Sequence, residues 1–476
     1  MGYLPRSMKN RKEKERITLQ KIRIESAGTQ GRGLARMDGM VVFVEDAVPG
    51  DLVDVEVFKK KKSFMEGRSI FIHEASADRI QPACEHFGVC GGCKWQHMSY
   101  DKQLQVKETG VKDNLERIAK VSFPEPEPIL GANPHYYYRN RLDFAFSSKR
   151  WLDASDMNKE DVNLNALGFH IPGRFDKILD INHCHLQGGL SNDIRNAVKN
   201  YAKENQISFF DPKIQNGFLR SLIIRNASES ELMVILVFTS EDTPVIENLM
   251  NFLTDKFPSI SSLIGFVNPK RNETLYDLDF KVYKGKDYII EDMEGLKFRV
   301  GPKSFFQTNS KQALQLYKIA ADFADLKGHE NVYDLYTGAG TIACFIASKV
   351  RHVVGIEAVP EAVSDAQNNA ANNGISNVSF VAGDMKDILD EAFMTKFGKP
   401  DVIITDPPRA GMHEKVCEQI LFAAPEKIVY ISCNPATQAR DLALFDEKYE
   451  IIRIRPVDMF PHTEHVENVV LLQKRP

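Results

Sequence analysis

Between Ile17 and Glu74 apolar and polar positions alternate in short runs, ITLQKIRIE, GLARM, MVVFVE, LVDVEVF and SIFIHE. A period of two turns one face of each run toward a core. Asp38-Gly39 and Pro49-Gly50-Asp51 fall between the runs and carry the turn chemistry of hairpins. Five short strands in about 60 residues predict a small barrel of the OB type over residues 16–75, a scaffold suited to gripping oligonucleotides.

The period then changes. DKQLQVKETGVKDNLERIAK reads as a helix and FPEPEP as a linker, so residues 76–130 form a cysteine-bearing connection. Residues 131–290 are predicted to be a strand-rich mixed domain: YYYRNRLDFAF, ALGFHI, FLRSLIIRN and LMVILVF alternate or run apolar at strand length. The polar stretch at 153–165 reads as a loop. From 291 onward strands alternate with helices, the pattern of a doubly wound parallel sheet. NVYDLY, HVVGIE, NVSFVAGD, DVIITD and IVYISC supply five parallel strands, and IIRIRPVDMF with HVENVVLLQK closes the chain as a terminal pair.

Composition narrows the class. At 476 residues the chain exceeds what one core supports. With 43% hydrophobic and 26% charged residues it has the profile of a globular rather than a disordered chain. Its longest strongly apolar run, LMVILVF, is too short to span a bilayer, and the N-terminus has no export-type apolar core. A cytoplasmic protein with no membrane partner is expected. The net charge of -4 hides a basic segment, since residues 1–75 hold 15 Lys and Arg against 11 Asp and Glu. Nucleic acid or a solvated face both account for it. Seven cysteines suit metal ligation or catalysis better than a disulfide framework.

Gly338 and Gly340 stand in DLYTGAG, where a strand turns into a helix and the backbone can approach a ligand. Glu357 ends the next strand and suits a ribose hydroxyl pair. Asp384 follows the third strand and Asp406, in DPPR, the fourth. Acids at successive carboxyl ends suit the adenosine and cationic amino-acid parts of S-adenosylmethionine better than a dinucleotide's pyrophosphate. Helix capping could explain any one of them.

The fifth strand ends on Cys433, in ISCNP. Methylation of an exocyclic amine needs no thiol. Uracil C5 does: it becomes a nucleophile only after something adds at C6, and a thiolate adds readily and leaves again. A base must then remove the C5 proton. Glu467, at the start of the last strand with His462 and His465 beside it, is the candidate.

These stretches, with CEHFGVCGGCKWQHM, YYYRNRLDFAF, SFFQTN and HTEHVE, make the chain resemble, over nearly its whole length, the cluster-bearing 23S rRNA uracil-5 methyltransferases. The resemblance implies an α/β architecture: a Rossmann-like methyltransferase domain over 291–476, an N-terminal TRAM domain of OB-like barrel form, and a cluster-bearing central RNA-binding domain over 76–290. It implies Cys433 as nucleophile and Glu467 as base. Gln307, Tyr336, Thr341, Glu357, Asp384 and Asp406 would contact S-adenosylmethionine, and 23S rRNA would be the partner of a protein expected to act as a monomer.

Cys84-x5-Cys90-x2-Cys93 with the distant Cys184 suits either zinc or an iron–sulfur centre by spacing. The resemblance implies a 4Fe-4S cluster on these four. Cys344 and Cys417 read as core. A target uracil must leave its stack to be reached. Phe305 and Phe306 are candidates to stack on it, and Arg139 and Arg141 to hold phosphate or base, against the ordinary roles of core aromatics and solvated arginines. Transfer RNA as substrate, and an NAD or iron–sulfur oxidoreductase, are the competing readings.

Overall fold

The computed structural model describes residues 17–153, 156, 162–228 and 231–476. The first 15 residues and part of the stretch predicted as a loop at 153–165 lie outside them. The chain forms two compact units, one running to Pro82 and including Lys94–Lys102, the other comprising Ala83–Cys93 and Gln103–Pro476. No helix among the described residues is long and apolar enough to cross a membrane.

The first unit is a six-stranded sheet around a single core. Its strands are Ile17–Arg23, Ser26–Ala27, Gly33–Met37, Met40–Glu45, Leu52–Lys60 and Phe64–Glu74. The sixth element missed by the hydrophobic pattern is Ser26–Ala27, two residues that pair with Gly33 and Leu34 and are too short to show a period. Alternate positions Val42, Val44, Val53 and Val55 are fully buried with Leu19, Ile22 and Ala35, as a half-buried strand requires. Asp51 holds the turn after them: its carboxylate accepts from the Val48 and Ser76 N–H groups and from Arg79, and these bonds keep it ionised despite its burial.

A helix spans Tyr100–Asn114, from Gln103 onward part of the second unit, and continues as a π-turn to Ala119. A seven-stranded mixed sheet follows, in the order Phe280–Gly285, Ser262–Val267, Leu232–Phe238, Leu219–Asn226, Arg141–Ser147, Ala166–Ile171 and Arg174–Asp180. Leu232–Phe238 is buried at every residue because helices and neighbouring elements cover both faces, which is why its sequence lacks alternation. Where YYYRNRLDFAF reads as one strand, only Arg141–Ser147 is extended into the sheet. Tyr137, at φ 56°, turns the chain ahead of it.

A second seven-stranded sheet, mostly parallel, has the order Val378–Ala382, His352–Glu357, Asn331–Leu335, Val402–Thr405, Lys427–Ser432, Glu467–Lys474, Tyr449–Val457. The first five are parallel, and Glu467–Lys474 runs antiparallel to both of its neighbours. The order reverses at Asn331–Leu335, a switch point that opens a crevice at the carboxyl ends of the strands. One apolar cluster runs from Ile235 and Phe266 of the mixed sheet through Phe298 of the hairpin Ile289–Val300 to Val332 and Val429 of the mostly parallel sheet, so the two sheets of this unit share a core.

The chain between the last two strands is fixed at every step. Lys107, from the Tyr100–Asn114 helix, donates to Asp458 Oδ1 at 2.6 Å with both groups buried. Tyr138 Oη donates to the Pro461 carbonyl at 3.0 Å. His462, at φ 65°, donates its backbone N–H to Gln103 Oε1 at 2.8 Å and stacks on Tyr136 with ring centres 4.3 Å apart. A buried ion pair is costly to break on one side only, so this connection enters the last strand in one position.

Candidate active site

Four strand ends meet at the switch point. After Asn331–Leu335 the chain turns through Tyr336 at φ 64°, Gly338 at φ 55° and Gly340 at φ 77°. Gly340 is required on two counts, since a Cβ there would also lie 2.9 Å from Ala366 Cβ and from the Phe380 ring. The turn is tied to the second strand: Gly338 N–H donates to Glu357 Oε2 at 3.1 Å, and Val359 N–H donates to Glu357 Oε1 at 2.9 Å. Thr341 opens the following helix, its hydroxyl 3.2 Å from Tyr317 Oη. Asp334, beneath the turn, accepts from Thr337 Oγ1 and from the Ala343 N–H.

Asp384 does what a capping acid does. It is the N-cap of the short helix Met385–Ile388, accepting from the Lys386 N–H at 3.2 Å, and it pairs with Lys386 Nζ at 2.7 Å. Asp406 follows Val402–Thr405, and its N–H is 3.4 Å from the Leu335 carbonyl. Behind it the Arg409 carbonyl accepts from Asn434 Nδ2 at 2.9 Å and from Thr437 Oγ1 at 3.2 Å. Asn434 also caps the helix Pro435–Phe445 by accepting from the Ala436 N–H. One side chain therefore starts a helix and staples the DPPR loop to the ISCNP loop. The strand turns at once on Asn-Pro because the helix begins there. Sequence reasoning gave Asn434 and Thr437 no part, and the Asn-Pro cap pattern was the available signal.

Register brings the thiol and the last carboxyl together. Ser432 pairs with Asn468 in the antiparallel ladder Lys427–Ser432 against Glu467–Lys474. Cys433 is one residue beyond Ser432, and Glu467 one residue before Asn468, so the two face each other across the ladder's end. Gln438 locks this end, donating to the Tyr430 and Asn468 carbonyls while accepting from Asn468 Nδ2.

The electrostatics are those of crowded acids with one cation. Glu467 is pushed up to about 8 by burial and by the nearby Asp406, against the opposing pull of Arg409. Asp406 rises to about 7 through burial and Asp334. Asp334 rises to about 7 through burial, eased by its two hydrogen bonds and aggravated by Glu357. Cys433, half-buried, is raised to about 11 by burial and then by Glu467 and Asp406, while Arg409 lowers it. Perturbed groups gathered in one crevice make it the candidate functional site of the chain. A thiol, a proton-holding carboxyl and an arginine are thus within electrostatic reach of one another.

Gln307 is half-buried, its carbonyl accepting from Asn140 Nδ2 at 2.9 Å. Phe305 is 72% exposed, whereas Phe306 is 6% exposed and packs on Phe298; Phe306 is therefore core and not a stacking surface. Arg225, buried, donates to the Gly301 and Ser304 carbonyls and holds the chain ahead of Phe305. Arg139 lies over the Phe460 ring at 5.0 Å, and Arg141 is engaged by Asp143 through two bonds of 2.7 and 2.8 Å. Cys344 and Cys417 are buried in helices, as expected of core residues.

Cys84, Cys90, Cys93 and Cys184 all belong to the second unit. Cys90 and Cys93 pack against the cluster that contains Cys184, and the Cys184 thiol is raised by burial and, to a smaller degree, by the Cys84 thiol. His86 Nε2 accepts from the Asn182 N–H at 3.0 Å, docking the cysteine loop beside Cys184. Among the described residues, no group of three or more His, Cys, Asp or Glu forms a metal-holding arrangement.

Residues 278–475 match the tRNA (Uracil-5-)-methyltransferase family and residues 13–70 the TRAM domain. An RNA methyltransferase of Bacteroides thetaiotaomicron is 54% identical over 94% of this chain and 99% of its own length. One from Chlorobaculum tepidum is 37% identical over 92% of each. The chain belongs to the RNA uracil-5-methyltransferase family. The methyltransferase is also similar to a solved structure, Pyrococcus abyssi tRNA (uracil-54, C5)-methyltransferase in complex with S-adenosyl-L-homocysteine, at 28% identity and a TM-score of 0.75 over 95% of this chain and all of that one. Family membership removes the oxidoreductase alternative. The Pyrococcus enzyme shares nearly the full length of this chain, so overall architecture alone does not distinguish a ribosomal from a transfer-RNA substrate.

The raised Glu467 carries a stability signature. Its folded-state pKa lies above the unfolded one, so the native methyltransferase loses stability as pH rises from the ordinary carboxylate range to about 8. Glu467→Gln lacks this proton. Its melting temperature relative to wild type is expected to climb between about pH 5 and about pH 8, measured by calorimetry at a series of pH values. A difference that stays flat would show that Glu467 ionises normally.

Proposed function

We propose that the protein transfers a methyl group from S-adenosylmethionine to C5 of a uridine in RNA, through a covalent bond between Cys433 and uracil C6. The observation that carries this reading is the opposition of Cys433 and Glu467 across the end of one antiparallel ladder, beside Asp406.

Gln307, Tyr336, Gly338, Gly340, Thr341, Glu357, Asp384 and Asp406 are proposed to hold S-adenosylmethionine. The bends at Gly338 and Gly340 leave backbone within reach of a ligand, and Glu357 is pre-set by two backbone N–H groups. The crowded acids fit a cationic molecule, because a positive charge among them counters the burial and the smaller mutual repulsion that raise Asp334 and Asp406. When bound, S-adenosylmethionine supplies a methyl group on a positively charged sulfur.

The Cys433 thiol gives its proton to solvent, Sγ forms a bond to C6 as thiolate, and the displaced electron pair of the C5–C6 double bond makes C5 nucleophilic. C5 takes the methyl group as its carbon–sulfur bond breaks, and the sulfur leaves with that electron pair as neutral S-adenosylhomocysteine. Glu467, ionised, then removes the C5 proton; the C5–C6 double bond re-forms and the Sγ–C6 bond breaks. Methyl has replaced hydrogen, and the thiolate is regenerated. Arg409 is the cation that opposes the acids at both Cys433 and Glu467. Phe305, exposed beside Gln307, is proposed to stack on the extruded base, and Arg139 and Arg141 to contact the RNA.

We propose 23S rRNA as the substrate on the resemblance of the motifs; the Pyrococcus match supports transfer RNA as the second reading. We also propose a 4Fe-4S cluster on Cys84, Cys90, Cys93 and Cys184. Four thiols are the donor set such a cluster takes, and the docking of the Cys84–Cys93 loop beside Cys184 supports it. Methyl transfer moves no net electrons, so the part proposed for it is structural or RNA-organising rather than redox.

RNA carrying 5-fluorouridine should form a covalent adduct with the protein in the presence of S-adenosylmethionine, since fluorine cannot leave as a proton does. Offering 23S rRNA and transfer RNA side by side tells which is captured. Cys433→Ala should form no adduct, and an undiminished one would refute the nucleophile. Protein purified without oxygen should contain about four iron and four sulfide per chain, and Cys184→Ser should lower both. Stoichiometric zinc, or no metal in fully folded protein, would exclude the cluster.

A further inference from the structure

One cavity in the second unit has no part in the chemistry above. It holds about 430 Å³ and is lined by Tyr137, Arg139, Asn140, Asn226, Glu291 and Lys311 among others. Its volume is in the range of sites that enclose small ligands. Its polar groups are not satisfied by the protein alone. Asn226 has its backbone N–H on the Asn140 carbonyl and its Nδ2 on the Gly188 carbonyl, while Oδ1 is buried without a hydrogen-bond partner among the described residues. Such an acceptor costs free energy unless a donor reaches it. Glu291 is buried nearby, its Oε2 accepting from the Ser228 N–H at 3.3 Å. Burial raises this carboxyl to about 7, so it can present a proton as readily as a lone pair.

The rim supplies the rest. Tyr137 is an exposed aromatic ring, and Lys311 an exposed cation. One residue ties the cavity to the Gln307 segment: Asn140 Nδ2 donates both to the Gln307 carbonyl at 2.9 Å and to Ser310 Oγ at 2.7 Å, and Asn140 and Ser310 both line the cavity.

We propose that this cavity, bounded by Asn226, Glu291, Tyr137 and Lys311, is a second base pocket that takes an extruded adenine or cytosine from a nucleotide flanking the target uridine. The edge of adenine or cytosine pairs an amine donor with an unprotonated ring nitrogen. Asn226 Oδ1 accepts from the amine, and the Glu291 carboxyl donates to the ring nitrogen. Uracil and guanine present an acceptor and a ring N–H in the reverse order and leave Oδ1 facing another acceptor. Tyr137 offers a face for stacking, and Lys311 a charge for phosphate. The assignment of the occupant as a neighbour of the target rests on the RNA-methylating reading of Cys433.

The test uses the full-length protein saturated with S-adenosylhomocysteine, so that the adenosine site at Glu357 is filled, and reads binding of AMP, CMP, UMP and GMP by saturation-transfer NMR. AMP and CMP should bind at least about tenfold more tightly than UMP and GMP, the ratio expected for one matched polar edge. Asn226→Leu and the surface variant Lys311→Glu should each weaken AMP by about tenfold, with S-adenosylhomocysteine affinity unchanged as the check on folding. Binding of all four nucleotides alike, or AMP binding indifferent to both variants, would overturn the pocket. The 5-fluorouridine adduct on Cys433 is a separate readout. Adducts formed with an indifferent Asn226 would leave the chemistry standing and sink the pocket; nucleotide selectivity without adducts would do the reverse.

Discussion

The pairing of Lys427–Ser432 with Glu467–Lys474 is the constraint on which the site depends. A strand register is all or nothing: a slip of one residue sends every side chain to the opposite face. Here Val429 and Ile431 face one core and Ile428 and Tyr430 the other, so a slip would expose none of the apolar surface differently but would break the Gln438 and Asn468 bonds at the ladder's end. Those amides, all buried, fix the register that sets Cys433 opposite Glu467. The connection through Asp458 and His462 does the same from the other side, because Lys107, Tyr138 and Gln103 hold it before the strand begins.

Charge then does what geometry alone would not. Four acids and a thiol, Asp334, Glu357, Asp406, Glu467 and Cys433, converge on a crevice with Arg409 as the cation that acts on both Cys433 and Glu467. Without a ligand the arrangement favours protonated groups, which is the state a buried carboxyl reaches when desolvation exceeds attraction. A site in this state is set to bind positive charge and to exchange protons, and it does so at some expense in stability at alkaline pH.

The parallel sheet was legible because each strand is a short apolar run ending in a glycine, an acid or a cysteine, with a helical period between. The terminal strand pair was legible for the same reason. Less visible were features set by contacts distant in sequence. Tyr137 breaks YYYRNRLDFAF from a strand into a turn, and nothing in the alternation of those residues reveals it. Ser26–Ala27 is too short for any period. Phe305 and Phe306 differ only in which side of the chain meets Phe298. Asp384 also caps a helix and pairs with Lys386, contacts that its place at a strand end does not reveal. Asn434 and Thr437 entered only with the fold, because their work is to join two loops about 25 residues apart in the chain.

The central chemistry is tested most directly by the mass of the protein after reaction with ordinary RNA. Glu467→Gln keeps the nucleophile and loses the base, so with 23S rRNA and S-adenosylmethionine it should accumulate a bond between Cys433 and a uracil that already carries its new methyl group. Nuclease digestion followed by peptide mass spectrometry would find that methylated nucleotide on the peptide containing Cys433. Full conversion to free 5-methyluridine by Glu467→Gln, with Cys433 unmodified at every time point, would contradict it.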